Sequence, residues 1–377
     1  MPDPRPNIQA LDPYAPGEQP QGAEARRTIK LNTNESPYPP SPRAIEAMRA
    51  VAADQLRRYP SPSAADFRQA AADLHDLAAD QVIATNGGDE LLRLIMTAYC
   101  EPASAPEPTG RGGIGVTDPT YSLYPVLART HGCSITVAPR GDDFALADDA
   151  ADTWNAAGCA VGFIVNPHAP SGRMSDVGRL RRLARRFNGV LVVDEAYVDF
   201  APHDALGLVR GDDAEPNVLV LRSMSKGYGL AGLRLGYGLA SAELITVLQK
   251  VRDSYNVDAI AQAVGTAALN DVAYARTVWQ KVVAERERVA RALRDLGFAV
   301  PDSASNFVLA RCPEDAPTAG DLYRSLKQRG LLVRHFETPG LDDRLRITIG
   351  SPDQNTRLLD ELADLLNPAA SPAGDAA

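Results

Sequence analysis

One lysine, Lys226, stands in the stretch Ser223-Met224-Ser225-Lys226-Gly227-Tyr228-Gly229-Leu230-Ala231-Gly232-Leu233-Arg234, among hydroxyls, glycines and an arginine. The stretch follows Val218-Leu219-Val220-Leu221, an apolar run that reads as a buried strand. The other four lysines, Lys30, Lys250, Lys281 and Lys327, have no such surroundings. A lysine leaving a buried strand can lose its proton near neutral pH and then form a Schiff base with a carbonyl. A glycine-rich surface turn would give the same letters. Gly227, Gly229 and Gly232 also match G-x-G-x-x-G, but the dinucleotide turn opens a helix, and here Leu233 to Leu239 reads as another strand. A nicotinamide enzyme is therefore not the reading.

Three more strand ends carry polar or aromatic groups. Asn86-Gly87-Gly88-Asp89-Glu90 joins a strand to a helix. Its glycines let backbone N–H groups approach an anion at the helix N-terminus, and an ordinary turn capped by Asp89 reads the same way. Asp194-Glu195-Ala196-Tyr197 ends the run Val190-Leu191-Val192-Val193. A carboxylate at the carboxyl end of a strand can hold a pyridinium nitrogen protonated, and a tyrosine beside it can donate to a phenolate oxygen. Simple capping by Asp194 and packing by Tyr197 is the plainer alternative. In Asp118-Pro119-Thr120-Tyr121-Ser122-Leu123-Tyr124, Tyr121 suits stacking on a planar ring and Tyr124 suits the core. No His/Cys cluster has zinc spacing, so no metal is expected, and neither G-x-S-x-G nor a P-loop occurs.

The elements that must position these residues alternate. Strands are expected at 81–85, 114–117, 134–138, 161–165, 190–193, 218–221 and 235–239, with helices at 89–100, 122–130 and 176–187 between them. That alternation predicts an α/β fold with a mostly parallel sheet covered on both faces. Ser41-Pro42 opens a helix to Arg57 or Arg58, and Ser61-Pro62 opens a second to about His75. Helices at 258–269 and 272–296, then strands at 306–310, 331–334 and 344–349 alternating with helices at 321–329 and 355–366, predict a smaller α+β domain. The organisation is thus an N-terminal arm at 1–40, a large domain at 41–256, a small domain at 257–367 and a tail at 368–377 that is disordered by composition. Residues 101–113 read as a surface insertion.

Composition narrows the classes. Apolar residues make up 45% and charged residues 23%, as in soluble globular proteins. A net charge of -9 argues against a general nucleic-acid binder, and the arginines at 179, 181, 182, 185 and 186 read as a solvated helix face. No apolar run approaches the ~20 residues that span a bilayer. The first 21 residues lack an apolar signal segment, and Cys100, Cys133, Cys159 and Cys312 form no C-x-x-C pair, so a cytoplasmic protein with reduced thiols is expected.

Taken in order, these pieces resemble the aspartate-aminotransferase superfamily of pyridoxal 5'-phosphate enzymes, and within it the histidinol-phosphate aminotransferases. The resemblance runs from about Leu11 to Leu366 and is most specific at Ser223-x-Ser225-Lys226 with Gly232-Leu233-Arg234-x-Gly236. Leu31-Asn32-x-Asn34-Glu35, Arg58-Tyr59-Pro60, Tyr255-Asn256 and Leu345-Arg346-Ile347-Thr348 are further family-like pieces. It implies transamination between histidinol phosphate and 2-oxoglutarate by a homodimer. Lys226 would hold the cofactor as a Schiff base and move the proton, Asp194 would pair with the ring nitrogen and Tyr197 with the ring oxygen O3'. Tyr121 would stack on the ring. Gly87, Gly88, Asp89, Ser223, Ser225 and Arg234 would hold the cofactor phosphate, with Tyr59 reaching it from the partner subunit. Arg346 would bind the amino donor's carboxylate, and Arg334 and Tyr14 the phosphate end of the substrate, near Asn34 and Glu35. An aromatic aminotransferase, a threonine-phosphate decarboxylase and a catalytically silent binding protein of the same fold remain alternatives. One departure is clear: in Asn166-Pro167-His168-Ala169-Pro170-Ser171-Gly172, Ala169 stands where the family has an asparagine that donates to O3'. Tyr197 would then serve O3' with help from His168 or a water.

Overall fold

The structure is a computed structural model that describes residues 2–12, 17–102, 110–141 and 143–367. Tyr14, the centre of the 101–113 insertion and the tail from 368 lie outside the described residues.

Seven strands form the main sheet: β1 (Val82–Thr85), β2 (Gly113–Asp118), β3 (Ile135–Pro139), β4 (Cys159–Val165), β5 (Val190–Asp194), β6 (Val218–Ser223) and β7 (Gly236–Ala240). Their order is β1-β7-β6-β5-β4-β2-β3. Only β7 runs against its neighbours; the other six point the same way. Strands 4, 5 and 6 are almost wholly buried, the continuous apolar pattern expected where helices cover both faces. Trp154 lies flat against the sheet, and the glycines at 115 and 162 make room for it: an added Cβ would meet its ring at 2.4 and 2.6 Å. Helix α1 (Gly87–Tyr99) follows β1 and α2 (Leu123–His131) follows β2. Five parallel strand ends therefore converge on one edge of the sheet, each followed by a segment singled out above.

The rest of the chain closes over that edge. A three-stranded antiparallel sheet places β10 (Arg344–Thr348) between β8 (Phe307–Arg311) and β9 (Arg334–His335). Helix α3 (Val272–Asp295) packs beneath it; its buried Arg286 donates to the carbonyls of Phe200 and Ser305, 3.2 and 2.9 Å away. The observed architecture is thus the expected one, a mostly parallel sheet plus a smaller α+β sheet.

Several boundaries differ from expectation. The first helix stops at Ala50, Val51 is extended, and a separate turn runs over Ala53–Leu56, because the Gln55 side chain accepts the Ala52 N–H and caps a new start. The next helix begins at Ala65 instead of Pro62; Ala64 is left-handed at φ 51°, and Ser61 Oγ accepts the Ala65 N–H. The expected strand 331–334 is split between two sheets: Leu331–Leu332 pairs in parallel with Ile29–Lys30, whereas Arg334–His335 pairs with β10. The arginine-rich helix Val177–Arg186 is not merely solvated, since Arg181 and Arg185 both grip Glu215, at 2.9 and 2.8 Å.

Candidate active site

A cavity of about 810 Å³ opens at the convergent strand ends. Lys226, three residues beyond β6, lines it, and its Nζ donates to the Thr33 carbonyl of the N-terminal arm at 2.8 Å. Burial, with the Arg346 guanidinium second, pulls this amine down to about 8, so a reactive neutral fraction exists near neutral pH. Asp194 ends β5 and is buried. Its Oδ2 accepts the Tyr124 hydroxyl at 2.7 Å and its Oδ1 the Ala196 N–H at 3.0 Å. Burial still pushes the carboxyl up to about 6. A buried acid with such a cost is a group waiting for a cation.

The anion cradle lies beside it. Helix α1 begins at Gly87, so its first N–H groups have no partners within the helix. Gly87 has φ +75°, a conformation that L side chains rarely adopt, and an added Cβ would sit 2.7 Å from Arg234 Nη2. Ser223 Oγ accepts the Ser225 N–H at 3.1 Å, turning the chain so that both serines face the cavity. Arg234 is left-handed at φ 55° and lies 3.4 Å from Asp89. Dipole, backbone donors and guanidinium converge on a volume suited to a phosphate.

On the opposite wall, Arg334 and Arg346 are direct register partners across β9 and β10, and both line the cavity. Arg346 lies over Phe307 and Phe336 at 5.2 and 5.5 Å, and Arg334 over Phe336 at 5.3 Å. Arg346 also donates to the Asn32 carbonyl at 2.9 Å. Two cations held on one aromatic shelf can each take an anionic group of a bifunctional substrate.

Comparison with known proteins decides the family. The model of the family "Aminotransferase class I and II" matches residues 26–362. The chain belongs to the class I and II aminotransferases. It is 44% identical to histidinol-phosphate aminotransferase 1 of a Nostoc species over 362 residues, 96% of this chain and 98% of that one. It is 40% identical to histidinol-phosphate aminotransferase 1 of Burkholderia pseudomallei over 369 residues, 95% and 97% of the two chains. Among solved structures, the histidinol-phosphate aminotransferase of Sinorhizobium meliloti in complex with pyridoxal-5'-phosphate superimposes with a TM-score of 0.85 at 28% identity, covering 97% of this chain and 98% of that one.

In this aminotransferase the remaining expected site residues divide. Tyr121 lines the cavity, edge-on to Tyr124 at 5.5 Å. Tyr197 lines it too; its hydroxyl accepts from Asn34 Nδ2 at 3.0 Å and its ring meets Phe307 edge-on at 5.2 Å. Asn34, at φ 56°, is itself held by Thr348 and Asn306, so within the chain its side chain orients Tyr197. Glu35 lines the cavity while pairing with Lys30 at 2.6 Å. Tyr59 stands apart: it is 81% exposed and stacks on Tyr255 at 4.5 Å.

His168 does not help at the ring oxygen. It is buried and held neutral, pushed down to about 3 by burial. Both ring nitrogens are engaged, Nε2 with the Pro119 carbonyl at 2.8 Å and Nδ1 with Ser171 Oγ at 2.7 Å. Ala169 does line the cavity, and its methyl offers no hydrogen bond there.

Sequence reasoning missed Thr33 as the partner of Lys226 and placed Tyr124 in the core alone. Tyr124 is indeed fully buried and stacked on Phe163 at 4.7 Å, but its hydroxyl is the tether of Asp194. A paired Tyr121-x-x-Tyr124 spacing after a strand was the available signal, since one helical turn puts both on one face. Tyr124→Phe removes a donor and raises the Asp194 pKa further. A raised acid stabilises the cofactor-free fold below its unfolded value of about 4, and that contribution is lost as pH rises through the folded pKa. The thermal midpoint of cofactor-free Tyr124→Phe is therefore expected to fall below wild type by more at about pH 7.5 than at about pH 5. An equal fall at both would reduce the hydroxyl to a packing role.

Proposed function

We propose that this aminotransferase exchanges an amino group between histidinol phosphate and 2-oxoglutarate, by two half-reactions at one site. The carrying observation is the facing pair Arg334 and Arg346 across the cavity from Lys226, which offers one guanidinium to a carboxylate and another to a phosphate. The names of the relatives at 40 to 44% identity support the same substrate.

The residues fit pyridoxal 5'-phosphate: a glycine turn at positive φ beside Arg234, a buried acid at a strand end, and an amine of lowered pKa in the same cavity. When bound, that cofactor supplies an aldehyde that condenses with amines and a ring that accepts the electron pair released at the neighbouring carbon. Gly87, Gly88, Asp89, Ser223, Ser225 and Arg234 would bind its phosphate. Asp194, steadied by Tyr124, would hold the proton on the ring nitrogen, and Tyr197, aimed by Asn34, would donate to O3'. Tyr121 would cover one ring face. Lys226 Nζ would be the base that takes the proton from the substrate's Cα and the acid that gives it back. Arg346 orients the carboxylate, and Arg334 orients the phosphate together with Tyr14.

We further propose a cytoplasmic homodimer in which Tyr59 serves the partner's cofactor phosphate; the exposed Tyr59–Tyr255 stack supports an aromatic contact there. Residues 41–256 act as the cofactor-binding domain and 257–367 as the smaller domain, preceded by the arm at 1–40. Among the described residues no helix is long and apolar enough to cross a membrane.

The test is turnover of glutamate with imidazole-acetol phosphate against glutamate with phenylpyruvate. Faster use of the phosphate is expected; the reverse preference moves the enzyme to aromatic transamination, and carbon dioxide release from threonine phosphate moves it to decarboxylation. Arg334→Ala is expected to cost the phosphate substrate about 10- to 100-fold in kcat/KM, the worth of one charge-assisted hydrogen bond, and to leave phenylpyruvate nearly unchanged. Ala169→Asn is expected to leave the cofactor bound and to shift the pH midpoint of its visible band. An unmoved midpoint would remove position 169 from the tuning of O3'.

A further inference from the structure

The backbone around Lys226 is held by one side chain from α3. Among the described residues no backbone-to-backbone hydrogen bond reaches 226–229; the nearest are Met224 N–H to the Leu235 carbonyl at 3.0 Å and Leu230 N–H to the Met224 carbonyl at 3.1 Å. The Gly227 carbonyl instead accepts the indole N–H of Trp279 at 2.7 Å. The same indole meets the Tyr228 ring edge-on at 5.5 Å. An added Cβ at Gly227 would run into the Asp199 carboxylate, so the peptide is confined there as well. Trp279 packs against two cores at once: that of the main sheet, with Val193 and Val220, and that of the smaller sheet, with Val282, Val308 and Ile347. Arg334 and Arg346 stand on that smaller sheet.

We propose that Trp279 is a positioning residue that keeps the Lys226 amine in register with Arg346, by tying the peptide after the lysine to the smaller sheet. The inference rests on Lys226 as the reacting amine and Arg346 as the carboxylate partner, and concerns what holds the two at a fixed separation. A substrate gripped by an arginine on one sheet must present its reacting carbon to an amine carried by the other, and small misplacements are costly. A side chain packed on both cores follows both, so a shift of the smaller sheet reaches the lysine through one hydrogen bond. Without the indole N–H the Gly227 carbonyl loses its partner and the stretch 226–229 has no other backbone tether.

Trp279→Phe keeps a ring against Tyr228 and removes the N–H. In the holoenzyme kcat is expected to fall about 10-fold, the worth of one hydrogen bond, with KM for glutamate changed less. In the cofactor-free enzyme the pH midpoint for condensation with pyridoxal phosphate is expected to rise above that of wild type, where the amine sits at about 8, because a loosened amine is better hydrated. Arg346, Glu35, Lys30 and Arg234, the charges that face the amine, are the same in the variant, so the shift reports its placement. A lower thermal midpoint with the kcat and pH midpoint of wild type makes Trp279 a packing residue and overturns the proposal. Borohydride reduction of wild type checks the underlying reading separately: fixation on a lysine other than 226 overturns both. Should Trp279→Phe not fold, wild type carrying heavy nitrogen in its two indoles decides by magnetic resonance. Trp154 Nε1 has no partner among the described residues, so the downfield N–H signal belongs to Trp279. That signal is expected to shift when pyridoxal phosphate is loaded, and an unmoved signal overturns the proposal.

Discussion

Replacing Lys226 by alanine is expected to lower kcat by at least about 10⁴-fold, while the protein still takes up pyridoxal phosphate through the cradle at Gly87 and Arg234. Of the five lysines, the one at 226 is inside the cavity with a pKa drawn to about 8, and its Nζ is fixed by Thr33. No second amine is placed to take over the proton transfer: Lys30 is engaged with Glu35, and Lys327 with Glu18. Borohydride should fix the cofactor covalently to wild type and to the Lys226 peptide alone. Retention of a borohydride-fixed cofactor in Lys226→Ala, or residual turnover within tenfold of wild type, would sink the assignment. A variant that is inactive and also no longer binds the cofactor would instead show that this lysine's main work is binding.

Asp194→Asn is expected to cost about three orders of magnitude in kcat, equivalent to roughly 4 kcal/mol, with a smaller loss of cofactor affinity. The substitution keeps the shape of the side chain and its bond from Tyr124, but it removes the charge that makes protonation of the ring nitrogen favourable. The acid sits at about 6 because burial outweighs its two hydrogen bonds, so a cation beside it would return it to the ionised form. The cofactor-free variant should be as stable as wild type or more so above about pH 6, since a buried charge has gone. Steady-state kinetics together with melting curves at two pH values separate the roles. Lost activity at retained stability supports the electrostatic role, whereas parallel losses of both would mean that Asp194 mainly holds the fold.

Much of this site was legible in the chain. Asp194, Ser223 and Gly87 each stand at the end of an apolar run short enough to be a parallel strand, and chain order alone put those ends on one edge. The start at Pro42, capped by Ser41, was legible, but the end of that helix and the start near Pro62 were not. Where a helix stops or starts depends on which side chains cap the neighbouring turn: Gln55 caps a new turn after Ala50, and Ser61 Oγ accepts the Ala65 N–H. The split of residues 331–335 between two sheets could not be read at all, because period-2 alternation does not say which neighbour a strand will find.

By itself the sequence determined the residue types that can do this chemistry: one lysine among hydroxyls, one strand-end acid, glycines before a helix, and arginines far along the chain. Side-chain identity and short-range spacing are local quantities. The tertiary structure decided the partners. Tyr124 grips Asp194 across 70 positions, Thr33 holds Lys226 across 193, and Asn34 aims Tyr197 across 163. It also took His168 away from the ring oxygen by engaging both its nitrogens and brought Arg334 opposite Arg346. Distance in sequence carries no information about those contacts, which form only when sheet order and the closing of the N-terminal arm bring the segments together.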